Sequence, residues 1–245
     1  MACTPHILPG LYENKGPNIR VAVTELQRHL DERDIPLRLV SGSENHVTPD
    51  FLGGLRRGHL LSLGDTRYAL VEPPHHVPPP RIQDLFFSLL VAGYIPILTH
   101  PERLKWIDEK YDVVRLLVGR GVWMQITSGS LTGRFGRRAK YWAERMLAEG
   151  CVHIMASDAH NLGRRPPDLV EGRRAAEKLV GDEEAHHLVV TRPGGALANT
   201  APGELPLPEG AANLKEVGGR DEKVWTSDMS TGGGVARRLQ RLFAG

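Results

Sequence analysis

Five residues with metal-ligand chemistry follow apolar stretches of the chain: His6 in TPH, Glu44 in SGSE, His100 in LTHPER, and Asp158 and His160 in ASDAHN. Imidazole and carboxylate are the ligand types of zinc, iron and manganese sites. Two adjacent ions bridged by one carboxylate can activate a water and steady the leaving oxygen of a phosphoester. Arg103 lies three residues after His100, and Arg165 lies five residues after His160, in GRRPP. A guanidinium beside a metal cluster would clamp a phosphate oxygen with its fork of N–H donors.

Each residue taken alone has a plainer reading. His100 reads as a structural histidine, and Glu44 as a capping or solvated carboxylate. Asp158 and His160 stand two apart, so an extended strand would send both to one side. The same pair also suits an Asx-type turn with a helix cap. His6 carries little by itself, and each arginine reads equally as half of a surface salt bridge. Recurrence at four strand ends is what makes the set informative.

The elements that must position these residues can be read from periodicity and punctuation. Residues 1–17 are loop-like, broken by Pro5, Pro9, Gly10, Gly16 and Pro17. A helix is predicted over 18–33, capped by Asn18, and a strand over 37–43 that runs out to Glu44. A short helix is expected over 49–57 and a strand over 67–72 (RYALVE). Beyond a Pro/His loop at 73–80 come a helix over 81–92, a strand over 95–99 (IPILT) and a helix over 110–120. Then follow a strand over 122–127, a helix over 136–149, a strand over 152–157 and helices over 168–179 and 182–188. Alternating strands and helices argue for a parallel sheet, barrel or doubly wound. In a parallel barrel the carboxyl ends of the strands share one face, so residues distant in sequence can converge there.

Other classes lose support. No GxGxxG or GxxxxGK[ST] follows a strand, which weighs against nucleotide binding. The formal charge of +2 over 245 residues gives no strong pull toward nucleic acid or a membrane surface. The basic pairs Arg137–Arg138 and Arg237–Arg238 read as solvated helix faces. Cys3 and Cys151 form no CxxC motif and no CxxxxxR phosphatase loop, so a thiol mechanism has no basis and a reduced, cytoplasmic setting fits. No leader or membrane-length apolar run is present, so neither secretion nor membrane insertion is expected. Residues 1–200 are read as the barrel domain and 201–245 as a mostly disordered tail, with a short amphipathic helix possible at 235–243 (VARRLQRLF).

TPH, SGSE, DTRYALVE, LTHPER and ASDAHNLGRRPP, in this order, resemble the bacterial PHP (polymerase and histidinol phosphatase) superfamily. The likeness is to its tyrosine-phosphatase branch, linked to capsular and extracellular polysaccharide synthesis, and covers about residues 3–200. The resemblance implies a distorted (β/α)7 TIM-like barrel. It implies His6, Glu44, His100, Asp158 and His160 as ligands of a divalent metal cluster, with manganese first and iron or zinc as alternatives. It implies Arg103 and Arg165 as phosphate binders, and the candidate acid for the leaving oxygen is His160 or the family's first histidines, which have no counterpart in this sequence. The implied substrate is phosphotyrosine on protein, notably the C-terminal tail of a bacterial tyrosine kinase.

The family opens with a strand ending in His-x-His and an Asp-Asp-Gly turn. None of the eleven histidines here are spaced i, i+2, and no such turn is present. The expectation is a barrel incomplete at the N-terminus, with the natural start lying upstream of Met1. Two alternatives stand beside the tyrosine phosphatase: a small-molecule phosphatase of the histidinol-phosphatase type, and an inactive remnant that binds a partner without turnover.

Overall fold

The computed structural model describes residues 1–211, 213 and 214. The chain opens with two short strands, β1 (Ala2–Cys3) and β2 (His6–Ile7), followed by helix α1 (Gly16–Asp31). Next come β3 (Val40–Ser41), β4 (Glu44–His46), α2 (Phe51–Arg56), β5 (Tyr68–Glu72) and α3 (Ile82–Val91). β6 (Ile95–Thr99), α4 (Ile107–Gly119), β7 (Trp123–Thr127), α5 (Ser128–Leu131) and α6 (Gly136–Ala148) continue the alternation. β8 (Ile154–Ala156), α7 (Val170–His186) and α8 (Arg192–Leu197) complete it.

Six strands pair in the order β2-β4-β5-β6-β7-β8, all parallel, and β1 pairs with β3 in a separate two-stranded ribbon. Both faces of this sheet are covered, as parallel sheets require. Side chains alternate along each strand. Ala69, Val71, Leu98, Met124, Ile126 and Met155 point toward the helices and join the main core. Tyr68, Leu70, Ile97, Trp123 and Ile154 point the other way, into a second cluster on the concave side.

That alternation also aims the chemistry. His6 pairs with Glu44, Glu44 with Leu70, and His46 with Glu72. Cross-strand partners share a face, so His6, Glu44, His46 and Glu72 lie on the concave face with Leu70. His46 and Glu72 close β4 and β5, and His6 and Glu44 stand beside them as the first residues of the short strands β2 and β4.

Several expectations differ from the structure. Residues 1–17 are not all loop, because β1 and β2 form there; strands of two residues are too short to show a period, and they exist only through pairing with β3 and β4. Helix α1 starts at Gly16 with Lys15 at the cap position, not Asn18. Pro17 explains this, since its fixed φ suits the first helical turn. Gly16 itself abuts the backbone, for a Cβ there would lie 2.1 Å from the Gly58 carbonyl oxygen. The two helices predicted over 168–179 and 182–188 are, by contrast, both present, since α7 (Val170–His186) is interrupted at Gly181, whose φ of 83° and ψ of 167° are not helical.

Residues 201–211, within the segment read as a tail, lie against the body. Ala211 is buried, and a Cβ on Gly210 would lie 1.8 Å from the Glu149 carbonyl oxygen. The amphipathic helix expected at 235–243 falls outside the described residues. Among the described residues, no helix is long and apolar enough to cross a membrane.

Candidate metal centre

The strand ends bring two carboxylates between several imidazoles. His6 Nδ1 lies 3.3 Å from Glu44 Oε2 and 3.1 Å from Glu72 Oε2. His100 Nε2 lies 2.9 Å from Glu44 Oε1 and 3.6 Å from Glu72 Oε1. His75 Nε2 approaches Glu72 Oε1 at 3.4 Å, and His46 Nδ1 approaches Glu72 Oε2 at 3.8 Å. Glu72 thus turns one oxygen toward His6 and His46 and the other toward His75 and His100.

Local backbone steers two of these groups. β6 ends at Thr99, and His100 then takes a left-handed conformation with φ 35°. Asp158, just beyond β8, does likewise at φ 50°. Such conformations in non-glycine residues carry strain and cluster at functional sites. His100 is held there by its backbone N–H, which donates to the Gln125 carbonyl at 2.7 Å. Its side chain is 2% exposed.

A second group adjoins the first. Asp158 Oδ2 accepts from Arg103 Nη1 at 2.5 Å and also from Arg165 Nη2. His160 Nε2 stands 3.4 Å from His6 Nε2, which joins the two groups at the more exposed edge. The Glu102 side chain fixes the turn that carries Arg103: its Oε1 accepts from the Thr127 backbone N–H at 3.0 Å and from Ser130 Oγ at 2.7 Å.

The family model for capsular polysaccharide synthesis, CpsB/CapC, matches residues 1–198. The chain belongs to this family. It is 38% identical over 180 residues to the tyrosine-protein phosphatase YwqE of Bacillus subtilis, a match covering 74% of this chain and 71% of the relative. With the tyrosine-protein phosphatase CpsB of Streptococcus pneumoniae it shares 29% identity over 195 residues, 78% of this chain and 80% of the relative. A solved structure from work on YwqE and CpsB, described as unique metal-dependent tyrosine phosphatases, superposes with a TM-score of 0.74 at 36% identity. That match covers 81% of this chain and 80% of the other. The curled parallel sheet is consistent with a TIM-like fold.

Against that family background, the sequence-predicted residues fall into two sets. His6, Glu44 and His100 converge, and Glu72 joins them. Asp158 is instead engaged by Arg103 and Arg165, with His160 at the boundary. Sequence reasoning missed Glu72, His75 and His46. The signal for Glu72 was available, because it ends the apolar strand RYALVE as Glu44 follows SGS. His75 sits in the Pro/His loop directly after it.

The donor set fits a divalent metal. Glu72, His75 and His100 form one group, and His6, Glu44 and Glu72 another; in each, one ligand atom per residue lies within 4.8 Å of the others. Ligand atoms roughly 3–3.5 Å apart are what bonds of about 2.0–2.2 Å to a shared ion produce. Glu72 belongs to both groups, with one oxygen facing each. The buried Nδ1 of His100 has no hydrogen-bond partner, while its Nε2 faces the carboxylates.

Electrostatics agree with this. Burial alone would raise the Glu72 carboxyl, but the imidazoles of His46, His6 and His75 outweigh it and hold the group well below the carboxylate range. Glu44 is likewise lowered, burial being overcome by His100. The hydrogen bond to Glu72 raises His6 against the effect of burial. For His100, burial pulls downward, and Glu44 more than reverses it. Two ionised carboxylates side by side thus draw in positive charge, the demand that a metal cation meets.

Proposed function

We propose that this chain is a metal-dependent protein-tyrosine phosphatase that hydrolyses phosphotyrosine with an activated water. The observation that carries the reading is Glu72, which belongs to both potential ligand groups, with Oε2 toward His6 and Oε1 toward His75 and His100, so that it could hold metal on either side. The names of its relatives, YwqE and CpsB, support the same substrate class. We take residues 1–200 as the catalytic domain and its sheet as part of a distorted (β/α)7 barrel.

His6, Glu44, Glu72, His75 and His100 would hold the metal, with Asp158 and His160 as further ligands at the arginine side. Divalent ions there, manganese first, would supply Lewis acidity and lower the pKa of a water. Arg103 and Arg165 would orient the phosphoryl group, since each guanidinium keeps N–H donors beyond the one spent on Asp158. Their charge would offset that developing on the equatorial oxygens. In place of ligation, His160, more exposed than the others and beside His6, would protonate the leaving phenolate. With a leaving-group pKa of about 10, that step needs modest help.

The substrate class we infer is a phosphotyrosine protein, with the C-terminal tail of a bacterial tyrosine kinase as first choice and the cytoplasm as the compartment. The test is hydrolysis of a phosphotyrosine peptide by the full chain with added manganese. The reading expects turnover that EDTA abolishes and that His100→Ala reduces to background. Turnover insensitive to EDTA, or no turnover with any divalent metal, would overturn it.

A further inference from the structure

Phe135 stands in the loop between α5 and α6, half-buried, where no ligand chemistry draws attention to it. Its ring faces both arginines of the site. The Arg103 guanidinium carbon lies 4.3 Å from the ring centroid, and that of Arg165 lies 5.5 Å from it. The ring is itself located from behind, since a Cβ on Gly129 would come within 3.1 Å of Phe135 Cε2. The turn is closed by Gly133 N–H to Ser130 O and by Arg134 N–H to Gly129 O, at 3.1 and 2.9 Å.

We propose that Phe135 is a positioning residue that holds Arg103 and Arg165 together over one aromatic face, ready for the phosphoryl group. This rests on the reading of those arginines as phosphate binders. Two guanidinium ions close together repel, and here two attractions oppose that: the shared Oδ2 of Asp158 and the negative face of the Phe135 quadrupole. The two attractions are not equivalent. Asp158 is also a candidate metal ligand, so its carboxylate can be drawn away by a cation. The ring is neutral, binds no metal, and keeps its hold on the arginines in either case. The buried Arg165 Nε without a hydrogen-bond partner fits a guanidinium held by a ring rather than by a full set of acceptors.

The test replaces Phe135 by phenylalanines of increasing fluorine content, which drain the quadrupole while keeping ring shape and volume. The readouts are calorimetric affinity for inorganic phosphate on the manganese-loaded full chain, and KM and kcat on a phosphotyrosine peptide. Phosphate affinity should fall stepwise, by about five-fold at the most fluorinated ring, with an unchanged melting temperature. Phe135→Leu should weaken phosphate similarly, and Phe135→Tyr should restore it. A flat fluorine series, beside Arg103→Ala and Arg165→Ala variants that do lose phosphate, would overturn the role of Phe135 and leave the arginine reading intact. If both arginine variants bind phosphate normally, the arginine reading falls and the proposal with it.

Discussion

Glu44 and Glu72 share the same two imidazole partners. Glu44 touches His100 at 2.9 Å and His6 at 3.3 Å, and Glu72 touches His6 at 3.1 Å and His100 at 3.6 Å. They reach this position from adjacent parallel strands offset by two residues, since Glu44 pairs with Leu70 and His46 with Glu72. Among the described residues, Glu72 alone belongs to both potential ligand groups.

Glu72→Gln keeps the shape and removes the charge that a cation needs. Metal content after dialysis should drop, with affinity falling by roughly 100-fold. The variant should remain folded. Full metal occupancy at the parent affinity would show that Glu72 is no ligand.

The site was partly legible in the sequence because hard ligands followed apolar runs. His6, Glu44, His100, Asp158 and His160 all stood at such places, and IPILT ended at Thr99 as expected. What escaped was set by pairing rather than by pattern. β1 and β2 span two residues each, which no periodicity can reveal. Glu72 was counted as the last residue of a strand, and only the register with His46 turns it toward His6. The arginine contacts with Asp158 join residues 55 and 7 positions apart in the chain. Phe135 had no local signal, because a lone aromatic between two glycines reads as a loop anchor.

At the opposite end of the sheet, Arg192 is fully buried and pairs bidentately with Glu184, both contacts at 2.7 Å. Its Nε also donates to the Pro206 carbonyl at 2.6 Å, fastening residues beyond α8 to the body. Arg192→Met strands a carboxylate at a partly buried position. Unfolding in urea should show a loss of about 3 kcal/mol. Turnover per folded molecule should not change.

Gly150 has φ 63°, and a Cβ there would lie 2.1 Å from the Gly210 backbone nitrogen. Both the left-handed backbone and the contact exclude a side chain. Gly150→Ala should therefore destabilise the fold by about 2 kcal/mol or more. An unchanged urea midpoint would mean that residues near 210 do not pack here.

Arg20 and Asp65 tie α1 to the turn before β5, with Arg20 Nη1 2.6 Å from Asp65 Oδ2. The Arg20 guanidinium holds the Asp65 carboxyl below its ordinary value of 3.8. A lowered acid pKa stabilises fully above the unfolded value and loses that contribution as pH falls through the folded one. Both groups are well exposed, so the pair contributes only about 0.2–1 kcal/mol. Asp65→Asn should lower stability by that amount at pH 7 and converge with the parent as pH falls through the lowered Asp65 pKa. A constant gap down to the acid limit would contradict the assignment.

The most direct measurement is anomalous diffraction from crystals of the full chain soaked in manganese. The account predicts peaks within bonding distance of Glu72, one on the His6–Glu44 side and one on the His75–His100 side. No anomalous density near Glu72, in crystals whose soak shows manganese elsewhere, would contradict it.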